Sequence, residues 1–431
     1  MRLSRRRFLS GIAAGVGAGL APALVEARGR APGRRSAATA RVLVIGGGFA
    51  GATAARYLAR WAPEVDVTLV TAPGPYWTCP FSNTAVVGLR DTDSLEIDYR
   101  AFPSRTNLAL LRGEVTDFDP VRRRAQLADG RAFEADRVIL APGIEMIEDA
   151  IEGYDAAARE RFPHAWEAGP ATGDLFQRLQ AVPDGGLVVV TAPPNPYRCP
   201  PGPYERASLM AWWLQQHRPK ARLVILDAKD RFTKDELFRA AWSERYPALA
   251  WLGQADGGTL RRIDSSAGTL HTDFDDWTPD LACVIPPQRA AGLARRAGLD
   301  GGLGWCPVNP TTFESTLYPG VHVIGDAAIA NPMPKSAFAA NSQGKACAAA
   351  IAALVSGVPA PEPVLLNTCY SLVAPDAGIA IAAAYAVVDG ALTTVEGASG
   401  ISPLDATAEI RALEAAHAHG WYRSVVTDAF G

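Results

Sequence analysis

The string Gly46-Gly47-Gly48-Phe49-Ala50-Gly51 constrains this chain more than any other feature. It follows directly on Arg41-Val42-Leu43-Val44-Ile45, a β-branched apolar run of the kind that forms a fully buried strand. A helix-forming stretch to about Trp61 comes next, then a second strand pattern from Asp66 to Val70. Strand, G-x-G-x-x-G turn, helix and strand in that order open a dinucleotide-binding fold. Gly46 permits the tight turn, Gly48 lets the backbone approach a pyrophosphate, and Gly51 lets the helix pack closely on the strand. The helix N-terminus offers free N–H groups and the positive end of its dipole to the phosphates. An acidic residue usually ends the second strand of such a unit and holds a ribose hydroxyl. Here that position falls at Thr71, followed by Ala72 and Pro73, so Thr71 is the candidate for a weaker contact.

The chain is long enough to hold more than this one unit. Its 431 residues correspond, at ~150 per domain, to two or three domains. A net charge of −3 argues against a nucleic-acid binder, which needs a basic face to displace counterions. No apolar run in the body reaches the ~20 residues of a bilayer span. The six cysteines form no C-x-x-C pair for structural zinc and no C-x-x-C-H for covalent haem, so no metal ligands are expected. At the N-terminus, Ser4-Arg5-Arg6-Arg7-Phe8-Leu9 precedes a weakly apolar, Gly/Ala-rich run from Gly11 to Leu24. That order reads as a twin-arginine export signal cleaved after Ala27 or Ala40. A periplasmic location follows as an expectation, in a compartment where a cysteine pair persists as a disulfide.

Two later segments specify the dinucleotide. Asp136 to Gly143 is a strand pattern running into a turn at Pro142-Gly143, and Val321 to Ala327 is another that ends in Gly325-Asp326. An Ala-rich helix pattern follows from about Ala337 to Val355. Together these resemble the disulfide-reductase-like flavoproteins with two dinucleotide-binding domains, in which such an aspartate contacts the ribityl chain of FAD. The resemblance implies an α/β fold with the FAD domain split around an insertion, at 41–160 and 286–355. The insertion, 161–285, begins with another buried-strand pattern, Gly186 to Ala192. Where a nicotinamide-binding relative has its second glycine turn, this chain reads Pro193-Pro194-Asn195-Pro196-Tyr197-Arg198-Cys199-Pro200-Pro201. Prolines lack the N–H groups a pyrophosphate needs, so the expectation is a nicotinamide-like fold without a nicotinamide site.

Three cysteines sit in distinctive strings: Cys79 in Tyr76-Trp77-Thr78-Cys79-Pro80-Phe81-Ser82-Asn83, Cys199 in the proline-rich loop, and Cys369 in Leu366-Asn367-Thr368-Cys369-Tyr370-Ser371. With Phe162 to Trp166, Asn331 to Ser336, Ala340 to Gln343 and the ending from Trp421 to Gly431, these resemble the flavoprotein subunits of flavocytochrome c sulfide dehydrogenases. The resemblance covers essentially all of the chain after the export signal. It implies that Cys79 bonds covalently to the flavin 8α-methyl carbon, although Pro80 stands where an aromatic residue is expected. It implies a redox-active Cys199–Cys369 disulfide against the flavin, with Glu205 as acid/base and Trp421 packed beside the ring. Lys335 joins the cofactor-binding set through its string. A residue range of 356–431 is expected to form a C-terminal, mainly β interface domain. The implied activity is oxidation of sulfide to sulfur or polysulfide, with electrons passed to a separate c-type cytochrome subunit. Cys283, Cys306 and Cys347 read as inert core residues, and His164 as structural. Two other activities fit the same fold: a redox partner that maintains a sulfur-carrier protein, and a sulfide:quinone oxidoreductase. The latter usually carries amphipathic C-terminal helices, for which the ending from Gly420 reads as too short and too polar.

Overall fold

The structure, a computed structural model, describes residues 39–102 and 104–431; the export-signal reading lies almost wholly outside the described residues. Its first sheet is parallel and five-stranded, in the order Val321–Val323, Arg137–Leu140, Ala40–Ile45, Val65–Thr71, Leu108–Arg112. The central strands Ala40–Ile45 and Arg137–Leu140 are apolar almost throughout because both their faces are covered, whereas the edge strand Leu108–Arg112 is half-exposed. Val42, Val44 and Ile139 point into one core with helices Phe49–Trp61 and Ala337–Val355, whereas Leu43, Ile45, Val138 and Leu140 point into another. The chain leaves this sheet after Leu140 and returns at Val321, which brings Asp326 beside the Gly-rich turn. The two covering helices approach closely at Gly344, where a Cβ would stand 2.6 Å from the Ala50 carbonyl oxygen.

Between these visits a second parallel sheet forms, in the order Leu249–Leu252, Arg222–Asp227, Leu187–Ala192, Leu281–Cys283. Helices Gly202–His217 and Asp235–Arg245 accompany it. Its strands also divide between two cores, Val188 and Val190 facing one and Val189 the other.

The C-terminal part is an antiparallel sheet of three long strands, Val364–Ala374, Ala377–Val388 and Ala391–Ile401. The helix that follows is not read from the sequence pattern: Ala408–Phe430 is a 23-residue helix begun by the Thr407 side chain. Small residues let it lie flat on the sheet, since a Cβ on Gly378 would meet the Ala415 nitrogen at 2.6 Å. Its far end is clamped to the first domain. Arg56 donates to the carbonyls of Thr427 and Asp428 at 2.8 and 2.7 Å, a cation at a helix C-terminus where the dipole favours one. Asp428 accepts from Tyr57, Asn341 and Lys345 at 2.5, 2.8 and 2.6 Å. Phe430 packs edge-on against Phe49 with centroids 5.1 Å apart. The buried face of Ala415, Ala418, Tyr422 and Val425 is thereby occupied by this protein's own body. Among the described residues no helix is long and apolar enough to cross a membrane.

Candidate active site

A cleft with ≈ 1590 Å³ of empty space, part of it open to solvent, runs from the Gly-rich turn to the cysteine loops. At one end lie Gly46, Gly47, Gly48 and the start of helix Phe49–Trp61. Gly46 has φ +106°, and a Cβ there would sit 2.2 Å from the Ala141 carbonyl oxygen. A Cβ on Gly51 would stand 1.9 Å from the Gly46 oxygen, so Gly51 is a packing residue behind the turn and does not line the cleft. Pro142, Gly143, Gly325 and Asp326 form the neighbouring wall. The Gly325 nitrogen is held by Gln343 at 2.8 Å.

Thr71 is not in this wall. Its hydroxyl donates to the Ala72 carbonyl at 3.3 Å, and its side chain lies under Gly47. In this position Thr71 is buried beneath the turn, and its neighbour Ala72 lines the cleft instead. Lys335 also stays behind the wall: its ammonium donates to the carbonyls of Asp326 and Ala328 at 2.7 and 2.9 Å and stands 3.8 Å from the Trp305 ring centroid. Burial lowers its pKa to about 8. It braces the loop that carries Asp326 and presents its own carbonyl to the Cys199 nitrogen at 2.8 Å.

The other end of the cleft brings together Cys79, Cys199, Glu205, Cys369 and Trp421, from four separate stretches of chain. Cys79, Cys199 and Cys369 are only partly buried, whereas Cys283, Cys306 and Cys347 are buried in the core. Cys199 has φ +58°, and Phe81, Ala165 and Lys234 around it also have positive φ. Strained backbone of this kind, costing of order 1–3 kcal/mol per residue, persists where surrounding contacts enforce it. For Cys199 those contacts are the Lys335 carbonyl and the Gly202 N–H, which donates to its carbonyl at 2.8 Å. Gly202 has no room for a side chain, since a Cβ would meet Cys199 Sγ at 3.0 Å and the Trp166 ring at 2.6 Å.

Glu205 is fixed between two elements. One carboxylate oxygen accepts from the Leu372 N–H and the other from Asn83 Nδ2, both at 2.8 Å. Burial raises its pKa, while those hydrogen bonds and the nearby Lys234 and Arg206 work against the rise. Burial, Cys369 and Glu205 push the Cys199 thiol well up, and Lys234 opposes them. Burial likewise raises the Cys369 thiol, again against Lys234.

Four residues complete the site that the sequence reading did not single out. Asn83 and Arg206 are buried, and Arg206 Nε donates to Asn83 Oδ1 at 3.0 Å while its guanidinium lies 5.0 Å from the Trp166 ring centroid. Arg198 donates to the Trp166 carbonyl at 2.7 Å. Lys234 donates to Ser371 Oγ at 2.7 Å. Asn83 and Arg206 are adjacent to residues that do carry a signal. Lys234 has none, because its partners lie in a distant strand. His164 is structural, its Nδ1 accepting the Trp166 N–H at 3.0 Å.

Several buried polar atoms around this cleft have no partner among the described residues: Asp326 Oδ1, Arg198 Nε, Trp166 Nε1 and Trp421 Nε1. Leaving such atoms unpaired costs about 1–3 kcal/mol each, so they mark where a polar ligand belongs. The glycine cradle, the Asp326 oxygen and the aromatic wall fit FAD.

The second sheet offers no comparable cradle. Its turn after Ala192 is the proline-rich loop, and Asp227, the acidic residue that ends its second strand, is engaged inside the protein. Asp227 accepts from Tyr204 and Trp251 at 2.7 and 2.9 Å and pairs with Lys229 at 2.6 Å, wholly buried.

Comparison with known proteins agrees with this layout. Residues 40–168 match the pyridine nucleotide-disulphide oxidoreductase model, 172–286 the central region of the sulfide dehydrogenase [flavocytochrome c] flavoprotein chain, and 361–430 the flavin-binding region of flavocytochrome c sulphide dehydrogenase. The sulfide dehydrogenase flavoprotein chain of Chlorobaculum thiosulfatiphilum is 53% identical over 45 residues, 10% of this chain and 94% of that one. A mitochondrial sulfide:quinone oxidoreductase of Dictyostelium discoideum is 21% identical over 311 residues, covering 70% of this chain and 68% of that one. Among solved structures, the sulfide:quinone oxidoreductase of Aquifex aeolicus superposes with a TM-score of 0.69 at 16% identity, covering 90% of this chain and 92% of that one. The NAD-dependent persulfide reductase of A. fulgidus gives 0.58 at 16% identity, over 88% and 77%. These structures share the two-dinucleotide-domain flavoprotein fold, and the chain belongs to the family of flavocytochrome c sulfide dehydrogenase flavoprotein chains.

Proposed function

We propose that this chain oxidises hydrogen sulfide to sulfur or polysulfide through a Cys199–Cys369 disulfide and passes the electrons to a c-type cytochrome subunit. The observation that carries the reading is the meeting of Cys199, Cys369 and Glu205 in the cleft whose other end is the glycine cradle. FAD, when bound there by Gly46, Gly48, Asp326 and the aromatic wall, supplies the two-electron acceptor and can release electrons singly to haem. The sulfur chemistry belongs to the chain's own residues. Hydrosulfide attacks Cys199 Sγ, the sulfur–sulfur bond breaks, Cys199 becomes a persulfide and Cys369 leaves as thiolate. A second hydrosulfide removes the outer sulfur as a hydrodisulfide anion and leaves Cys199 as a thiol. The pair then returns to the disulfide by losing two electrons and one proton. Glu205, held by Leu372 and Asn83, is the group that takes the proton. Cys79, in the cleft wall beside Pro80, is the proposed covalent attachment point for the flavin. The protein acts in the periplasm after twin-arginine export.

The deciding experiment is an anaerobic titration of the purified protein with sulfide, followed by the flavin absorbance near 450 nm, with and without its co-purifying cytochrome. Flavin bleaching and then haem reduction are expected. Cys199→Ser and Cys369→Ser are each expected to lose at least ~100-fold in sulfide turnover; full activity in either removes the disulfide mechanism. Flavin colour retained in acid-precipitated wild type and lost in Cys79→Ser tests the covalent bond. A quinone acceptor is the second reading, favoured by likeness to the sulfide:quinone oxidoreductases. Faster turnover with a soluble quinone than with cytochrome c decides for it.

A further inference from the structure

Lys234 is buried beside the sulfur pair, and no step above uses it. It immediately precedes helix Asp235–Arg245 and is held at φ +65°, a region that residues with a Cβ rarely occupy. The turn is closed by the Asp235 N–H on the Phe232 carbonyl at 3.3 Å and the Phe238 N–H on the Lys234 carbonyl at 3.0 Å. Its side chain crosses to strand Val364–Ala374, where the ammonium donates to Ser371 Oγ at 2.7 Å and reaches the Ile379 carbonyl at 3.4 Å. Ser371 and Cys369 are two residues apart on one strand and so share a face.

The titratable groups facing Lys234 are Cys369, Glu205, Cys199 and, from the C-terminal helix, Glu414. The two carboxylates have other partners: Glu205 binds Asn83 and the Leu372 N–H, and Glu414 pairs with Arg411 at 3.0 Å and accepts from Ser402. Among the described residues no cation is hydrogen-bonded to either sulfur. The guanidinium of Arg198 is directed to the Trp166 carbonyl, and that of Arg206 to Asn83 and the carbonyls of His164 and Ala165.

We propose that Lys234 is a positioning residue that serves as counter-ion to the sulfur pair, holding Cys369 as thiolate while the Cys199–Cys369 bond is open. The proposal rests on the reading of those two cysteines as a redox pair. Opening the bond carries the single negative charge of a hydrosulfide onto a buried sulfur without moving a proton, and a buried charge needs a partner. Burial alone drives Lys234 toward the neutral amine and Cys369 toward the neutral thiol. Each group in its charged form opposes that drift in the other.

The test compares the pH dependence of Cys369 alkylation by iodoacetamide, followed by peptide mass spectrometry on the FAD-loaded, thiol-reduced chain under argon. Lys234→Met is expected to move the Cys369 profile upward by at least about one pH unit, a tenfold slower reaction near neutral pH. Lys234→Arg is expected to stay within about threefold of wild type, since it keeps the charge. A Lys234→Met profile that overlays wild type overturns the proposal. Should that variant not fold, the wild type decides through the reciprocal measurement. Blocking Cys369 as a neutral thioether must increase the acetylation rate of Lys234 at pH 8 severalfold, and an unchanged rate overturns the proposal. A coupled pair in a protein whose flavin ignores sulfide removes the sulfide reading and leaves the ion pair standing. Sulfide turnover without coupling does the reverse.

Discussion

The two parallel sheets begin alike and end differently. Each has an apolar first strand, a turn, a helix and a second strand paired in parallel with the first. In the first sheet the turn is Gly46 to Gly51, and the second strand ends at Thr71, which packs beneath the turn. In the second the turn runs from Pro193 to Pro201, and the strand ends at Asp227, which lies in a buried network with Tyr204, Trp251 and Lys229. The backbone topology is the same, so it does not decide what is bound. The side chains at the turn do. Glycines leave backbone N–H groups open to a pyrophosphate, whereas prolines remove them and stiffen a loop that can hold one residue, Cys199, in a strained conformation.

The largest expected effect comes from filling the first turn. Gly46→Val puts a Cβ against the Ala141 carbonyl at 2.2 Å and forces a residue with a branched side chain to φ +106°. The flavin-to-protein absorbance ratio should fall at least tenfold; a flavin-replete variant breaks the contrast between the turns. Next comes the other turn's anchor. Asp227→Ala leaves Lys229 buried without its partner and should cost about 3–5 kcal/mol in a denaturant melt. Neither it nor wild type should show flavin reduction by NADH, and reduction in either breaks the contrast from the opposite side.

Two pH effects are smaller. Glu205 has a raised pKa, so between the ordinary glutamate range and its folded value the native state binds more protons than the unfolded chain. Stability there falls as pH rises, and Glu205→Gln should flatten that part of a plot of melting temperature against pH. A slope unchanged by the substitution counts against a raised Glu205. His164 behaves in the opposite sense. Burial, with Arg206 adding to it, lowers its pKa to about 4. The unfolded chain takes up the proton first as pH falls from about 6.5. Stability is lost between about 6.5 and 4, by at most about 3 kcal/mol from this residue. His322, also lowered to about 4 by burial, does the same in the first sheet. His164→Gln should therefore remove only part of the acid loss, and removal of all of it would assign the whole effect to the second domain.

Much of the cradle was legible in sequence because its causes are local. Gly46, Gly48 and Gly51 follow a strand and open a helix within a dozen residues, and helix Ala337–Val355 was read to its ends from composition. The cysteine set and Trp421 were legible only through family resemblance, since nothing in Thr368-Cys369-Tyr370 itself points to a cleft. Thr71 stands at the strand position where a ribose contact is expected. Its hydroxyl turns instead to its neighbour's carbonyl, and position along a strand does not say where a side-chain proton goes.

By itself, the sequence determined where glycine and proline sit, and with them which turn can receive a pyrophosphate, because backbone freedom and the presence of an N–H are properties of single residues. It likewise determined the buried strands, whose apolar runs require cover on both faces. Only the tertiary structure decided that Ala408–Phe430 forms a helix clamped through Asp428 to Asn341 and Lys345, and so brings Trp421 to the cleft. It alone set Lys234 against Ser371, 137 residues away. The physical reason is the same in both cases: a buried charge or a helix without a strong apolar stripe is stable only with partners, and here those partners come from distant parts of the chain.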